Sequence, residues 1–189
     1  MSRISTVNDR YLAAESVAQN GVNLFLVHDH CGARFSNVIR SIQRKSAEED
    51  TELWGDVLGA AKLLRWRAVF RPQPLEFNPS LALLSESLLI EAEKLRPMLG
   101  GSGHQRLDRL SAAAAELSSA DPVLGTHLLT SLEEVGAEDS LVVADGQRSR
   151  DEISAWLTPQ GFRVVTPAML ADLNISADVA YVVGPPRFP

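Results

Sequence analysis

A chain of 189 residues, 45% hydrophobic and 22% charged, is long enough to bury one substantial core. No apolar run approaches the roughly 18–20 residues that span a bilayer, and the sole cysteine, Cys31, excludes an intrachain disulfide or a thiolate-rich zinc site. A net charge of -6 excludes a surface that is cationic throughout, but basic residues bunch at Arg40, Arg44 and Lys45 and again at Lys62, Arg65, Arg67 and Arg71, so a local basic face stays open.

Residues 5–19 are predicted to form a helix stopped by Asn20-Gly21, and Val22 to His28 a buried strand between Gly21 and Gly32. Phe35, Val38, Ile39 and Ile42 recur at helical spacing after a possible Ser36 cap. The acidic stretch Glu48 to Glu52 suits the first turn of a second helix that continues to about Phe70. After a loop marked by Pro72, Pro74 and Pro79, Ser80 is expected to cap a helix through Leu95, and Gly100 to Gly103 to act as a flexible linker before a helix over 105–117. Asp121-Pro122 has the signature of a helix start, with that helix ending at Val135. The remainder alternates: strand over 140–144, helix over 150–157, strand over 162–165, short helix over 168–173 and strand over 179–183.

This pattern reads as an α/β chain with a mainly helical region and one early strand over 1–136, and a small parallel, Rossmann-like βαβαβ sheet over 137–189. No helix follows the last strand before Pro189, so an incomplete sheet, finished by a protein partner or by a continuation of the chain, is expected. The amino terminus lacks the apolar segment and small-residue cleavage site of a secretory signal, which makes a cytoplasmic location the expectation, with no membrane partner.

Three constellations carry possible chemistry. His28, His30 and Cys31 offer imidazole and thiolate groups that suit zinc, whereas a structural turn in which Asp29 or His30 binds free backbone groups explains the same residues without metal. Asp145, Arg148 and Arg150 lie where open parallel sheets place ligands, so the arginines are candidates to hold a phosphate; Ser149 and Glu152 also spell a capping box, with Asp151 adding negative charge there. Lys62, Arg65, Arg67 and Arg71 interleave with Trp66 and Phe70, a combination suited to nucleic acid or another acidic partner and equally to a solvated helix face above a buried aromatic pair. Finally, no G-x-x-x-x-G-K-[ST] loop and no G-x-S-x-G elbow occurs, so neither a self-sufficient enzyme nor a cofactor is expected.

The run from Leu141 to Leu157, Leu-Val-Val-Ala-Asp-Gly-Gln-Arg-Ser-Arg-Asp-Glu-Ile-Ser-Ala-Trp-Leu, followed by Gly161-Phe162-Arg163-Val164-Val165, resembles the opening of the second RecA-like lobe of helicases. There a strand, a helix and a second strand follow a helical connector, and the preceding helices fit that order. The nucleotide-contacting arginines of that family lie beyond Pro189 or have no match here, so no functional residue carries over. The same run is similar to the start of receiver domains, which place two acidic residues after the first strand and a phosphorylated Asp after the third. Here Asp145 precedes Gly146, and Gly184 stands near the phosphoacceptor position, which implies a scaffold without phosphotransfer. The leading expectation is a non-catalytic or partner-dependent module of a nucleic-acid-handling, helicase-like protein. The alternatives are a receiver-like interaction module and, third, a small metal-dependent hydrolase built on His28 and His30.

Overall fold

The computed structural model describes residues 27–49, 52–172 and 177–183. The protein is mostly helical, with a small three-stranded parallel sheet at its carboxyl-terminal end. The expected helix over 5–19 and most of the expected first strand lie outside the described residues, and Val27 and His28, the last two residues of that strand, are irregular.

Helix α1 spans His30–Glu49 and starts one and a half turns ahead of Ser36. The reason is Asp29, whose Oδ1 accepts the Gly32 amide at 2.9 Å and satisfies a free donor of the first turn. Gly32 is therefore inside the helix, where a β-carbon would run into the Asp29 carboxylate. Glu48 and Glu49 close α1 instead of opening the next helix, and α2 follows over Gly55–Phe70 after a turn through Glu52–Trp54. Trp54 is 1% exposed and its carbonyl accepts the Leu58 amide, so burial of the indole sets where α2 begins.

Helix α3 spans Pro79–Leu95, with proline in its first turn, where no amide partner is needed. Ser80 lies within it and provides no cap. Asn78 at the capping position provides none either, because its carboxamide is engaged elsewhere, with Arg67 and the Arg71 carbonyl. A single 3-10 turn, Arg96–Met98, leads to α4, Gly101–Leu117. The glycine run is thus a helix start and not a linker. Gly103 is buried against Leu99, whose Cβ would lie 2.8 Å from an added β-carbon, and the His104 ring nitrogen meets the Arg96 carbonyl at 3.0 Å. Helices α1 to α4 close around one apolar core, in which Phe35, Ile39, Leu64, Leu88, Leu107 and Leu110 are buried. Helices α1 and α3 each pack against α2 and α4, which also touch each other.

Helix α5, Val123–Val135, turns to the sheet instead: Leu128, Leu129 and Leu132 join Ile153, Trp156 and Leu157 of α6, Gln147–Leu157, in a second core. Gly125 lets α5 approach the loop after α2, since a β-carbon there would collide with the Pro72 carbonyl. Strands β1, Ser140–Ala144, β2, Arg163–Val165, and β3, Val179–Val183, form a parallel sheet in the order β2-β1-β3. Val142 lies opposite Val164 and Tyr181, fixing the register. One face, with Val142, Ala144, Val164 and Val183, is covered by α5 and α6. The other, with Leu141, Val143 and Val165, is covered by Met169 of the short helix α7, Pro167–Asp172. Helices on opposite faces are what right-handed crossovers running in opposite directions require. Val182 of β3 is 68% exposed.

Candidate functional site

The basic segment of α2 divides into two pairs with opposite fates. Lys62 and Arg65 are exposed, one helical turn apart, with no ion-pair partner among the described residues. Arg67 and Arg71 point inward and are only 5% and 4% exposed. The expectation of four cations offered together is corrected here: the second pair continues the stripe of Val57, Ala61 and Leu64 that faces the protein interior.

The inward pair spans the seam between the helical body and the sheet. Arg67 Nη1 meets Glu152 Oε2 at 2.8 Å, and its Nε donates to Asn78 Oδ1 at 2.8 Å. Arg71 Nε reaches the same Glu152 oxygen at 3.0 Å, and its Nη1 donates to the Phe70 carbonyl at 3.0 Å and to Asp145 Oδ1 at 3.3 Å. Asn78 Nδ2 in turn donates to the Arg71 carbonyl at 2.9 Å. Burial pushes the Arg67 guanidinium below its ordinary range; Glu152 opposes that shift and the charge of Arg71 adds to it. The aromatic neighbours are split as well. Phe70 is buried, but Trp66 is 39% exposed, stacked on Phe70 with centroids 4.7 Å apart and with the Arg71 guanidinium 5.3 Å from its ring centre. The indole is thus held at the surface four residues along the helix from Lys62, with Arg65 next to it in the chain.

At the carboxyl ends of β1 and β3, Phe70, Val143, Asp145, Pro167 and Val183 line a crevice of about 210 Å³. This is small beside the roughly 300–1,000 Å³ of most ligand pockets. Asp145 Oδ1 is engaged there, accepting from Arg71 and from the Ser149 hydroxyl. The expected capping box of Ser149 and Glu152 does not form, because Ser149 turns to Asp145 and Glu152 to the arginines; α6 starts at Gln147 after Gly146 with no side-chain cap. Asp145, Arg148 and Arg150 do not converge on a common phosphate position. Arg148 is 83% exposed and reaches Glu152 Oε1 at 3.3 Å, while Arg150 turns to the Val164 carbonyl and to Asp151.

His28 and His30 stack with ring centroids 5.8 Å apart, and Cys31 Sγ turns to Glu116 Oε1 at 3.8 Å. Burial, and after it the carboxylates of Glu116 and Asp29, push the Cys31 thiol up. Among the described residues no three His, Cys, Asp or Glu side chains gather to hold a metal ion, so these three do not form a ligand set. Of the two residues that order the seam, Asn78 was not singled out from the sequence and Glu152 was read only as part of a capping box. The signal for them is the position of Arg67 and Arg71 on the buried stripe of α2, since a buried guanidinium needs a carboxylate or carbonyl to receive it. No helix of the described residues is long and apolar enough to cross a membrane. Compared with family models, curated proteins and solved structures, the chain finds no match in any of the three.

Proposed function

We propose that this chain is a non-catalytic, partner-dependent module of a nucleic-acid-handling protein of the helicase type, and that it meets a single strand on the outer face of α2. The observation that supports this reading best is Trp66: an indole 39% exposed, stacked on Phe70 and contacted by the Arg71 guanidinium, with the exposed Lys62 one turn before it and Arg65 next to it in the chain. A base stacks on such a face whatever its sequence, and flanking cations take the phosphates on either side. The withdrawn arginines have a part in this arrangement, because Arg71 helps to hold the ring in place. The helices ahead of a βαβ unit fit the order of the lobe that the sequence resembles. Fluorescence anisotropy with a labelled single-stranded oligonucleotide tests the proposal. Trp66→Ala is expected to weaken binding by about 1–3 kcal/mol, the usual worth of one stacked base. Binding unchanged by that substitution would remove α2 as the contact.

A second reading, a receiver-like protein-interaction module, draws on the sheet. The order β2-β1-β3 is the one with which flavodoxin-like sheets begin, and β3 leaves Ala180 and Val182 uncovered at the edge. A protein partner laid against β3 would cover both.

A further inference from the structure

Helices α1 and α4 leave a cleft of about 460 Å³ between them, a volume suited to a small ligand. On α1, His30, Arg34, Asn37 and Ser41 follow at steps of three and four residues and form one wall. Arg44 and Lys45 continue that line for a further turn, exposed and without an ion-pair partner among the described residues. Arg106 and Arg109 of α4 provide the opposite wall, and Val38 and Ile42 the apolar floor.

Arg106 is oriented by Trp54, whose ring centre lies 5.4 Å from its guanidinium, and by the Ser102 carbonyl at 3.2 Å from its Nε. Arg109 is exposed. Arg34 pairs with Glu116 at 2.6 Å, but the two side chains are 62% and 41% exposed, so the pair is weak and a phosphate in the cleft can compete for the guanidinium. No carboxylate lines the cleft among the described residues, in a chain whose net charge is -6. The exposed guanidiniums of Arg34 and Arg109 and the imidazole of His30 at the rim suit phosphate oxygens. The apolar floor suits a flat ring, and Asn37 and Ser41 offer hydrogen-bonding groups for its edge.

We infer that the α1–α4 cleft binds a nucleoside phosphate, either free or as one unit of a strand. The inference rests on the nucleic-acid reading for its choice of a nucleoside over other phosphate esters, but it uses none of the α2 residues. Titration calorimetry with deoxyadenosine monophosphate, and anisotropy with a labelled oligodeoxyadenosine, both at low salt, test it on the full chain. The parent is expected to bind at least one probe, and Arg106→Glu with Arg109→Glu to weaken that binding by about tenfold or more, since each charge-assisted contact is worth roughly a factor of ten. Binding of the monophosphate identifies a free nucleotide as the source, and binding of the oligomer alone identifies a strand. Because Arg106 also packs on Trp54, Arg109→Glu by itself, on an exposed side chain, provides a version of the test that leaves the fold intact; circular dichroism confirms it. Failure of the parent to bind either probe, or binding indifferent to both cleft variants, would overturn the inference. Oligomer binding that survives the cleft variants but is lost in Lys62→Glu with Arg65→Glu would leave the α2 reading standing and the cleft refuted. The reverse pattern would keep the cleft and remove α2.

Discussion

The α1–α4 bundle and the sheet segment each close on an apolar interior, Leu64, Leu88 and Leu110 in the first and Leu132, Ile153 and Leu157 in the second, but the seam between them is held by ionised groups. Apolar contacts tolerate sliding; two guanidiniums converging on one carboxylate oxygen do not, because a small shift leaves a buried charge without its partner. The seam therefore fixes how α2 lies against α6 more strictly than either core requires. The same contrast runs across α2 itself, whose inner arginines are committed to Glu152 and Asp145 while Lys62 and Arg65 face solvent.

The most damaging way to break the seam is Glu152→Ala, which takes the shared carboxylate from Arg67 and Arg71 and leaves Arg67 with Asn78 alone and Arg71 with Asp145 and the Phe70 carbonyl. Removal of one partner from a buried pair typically costs about 3–5 kcal/mol, and the loss should show as a lowered denaturant midpoint. A midpoint within about 0.5 kcal/mol of the parent's would mean that the seam is open to water and the arginines are solvated there. Trp156→Ala strikes the sheet core alone. The indole is 3% exposed and lies against Gly125 of α5, so a loss of about 3–5 kcal/mol is expected, the range for truncating a buried aromatic. If the seam couples the two cores, both substitutions should shift one cooperative transition; two separated transitions would show that bundle and sheet unfold independently.

A smaller effect, of opposite sign, is expected at Gln73. It is 0% exposed between Pro72 and Pro74, and neither atom of its carboxamide has a hydrogen-bond partner among the described residues. Gln73→Met keeps the shape and removes the stranded polar atoms, so stability should rise by about 1–3 kcal/mol in the same denaturant titration. A decrease would show that the carboxamide has a polar role in the loop beneath α5.

The elements were readable from the sequence wherever period and punctuation agreed. Ser140 to Ala144 reads as a buried strand and is buried at every position, and Pro72, Pro74 and Asp121-Pro122 mark true breaks. Helix starts were read less well, because caps were assigned by residue type alone. Ser36, Ser80 and Ser149 each look like caps, yet Asp29 caps α1, Asn78 is drawn off by Arg67 and the Arg71 carbonyl, and Ser149 is drawn off by Asp145. Asn78 is drawn off by partners seven and eleven residues away, across a loop, whereas Ser149 bonds the carboxylate four residues before it, a local side-chain choice that residue type alone does not reveal. The candidate site was half legible for the same reason: the basic-aromatic run is visible, whereas which arginines turn inward depends on Glu152, 81 residues beyond Arg71 in the chain. The α1–α4 cleft was out of reach of local pattern, since its two walls come from helices separated by two others.

The most direct test of the account is the salt dependence of single-strand binding by the parent and by Lys62→Glu with Arg65→Glu. Both side chains are exposed, so the double reversal should leave stability within about 0.5 kcal/mol per site of the parent. If these cations touch phosphates, affinity should fall and the log–log slope should flatten by about 0.7 for each lost contact to a single strand. A parent that does not bind at low salt, or a slope that the double reversal leaves unchanged, would contradict the reading of α2 as the face that meets nucleic acid.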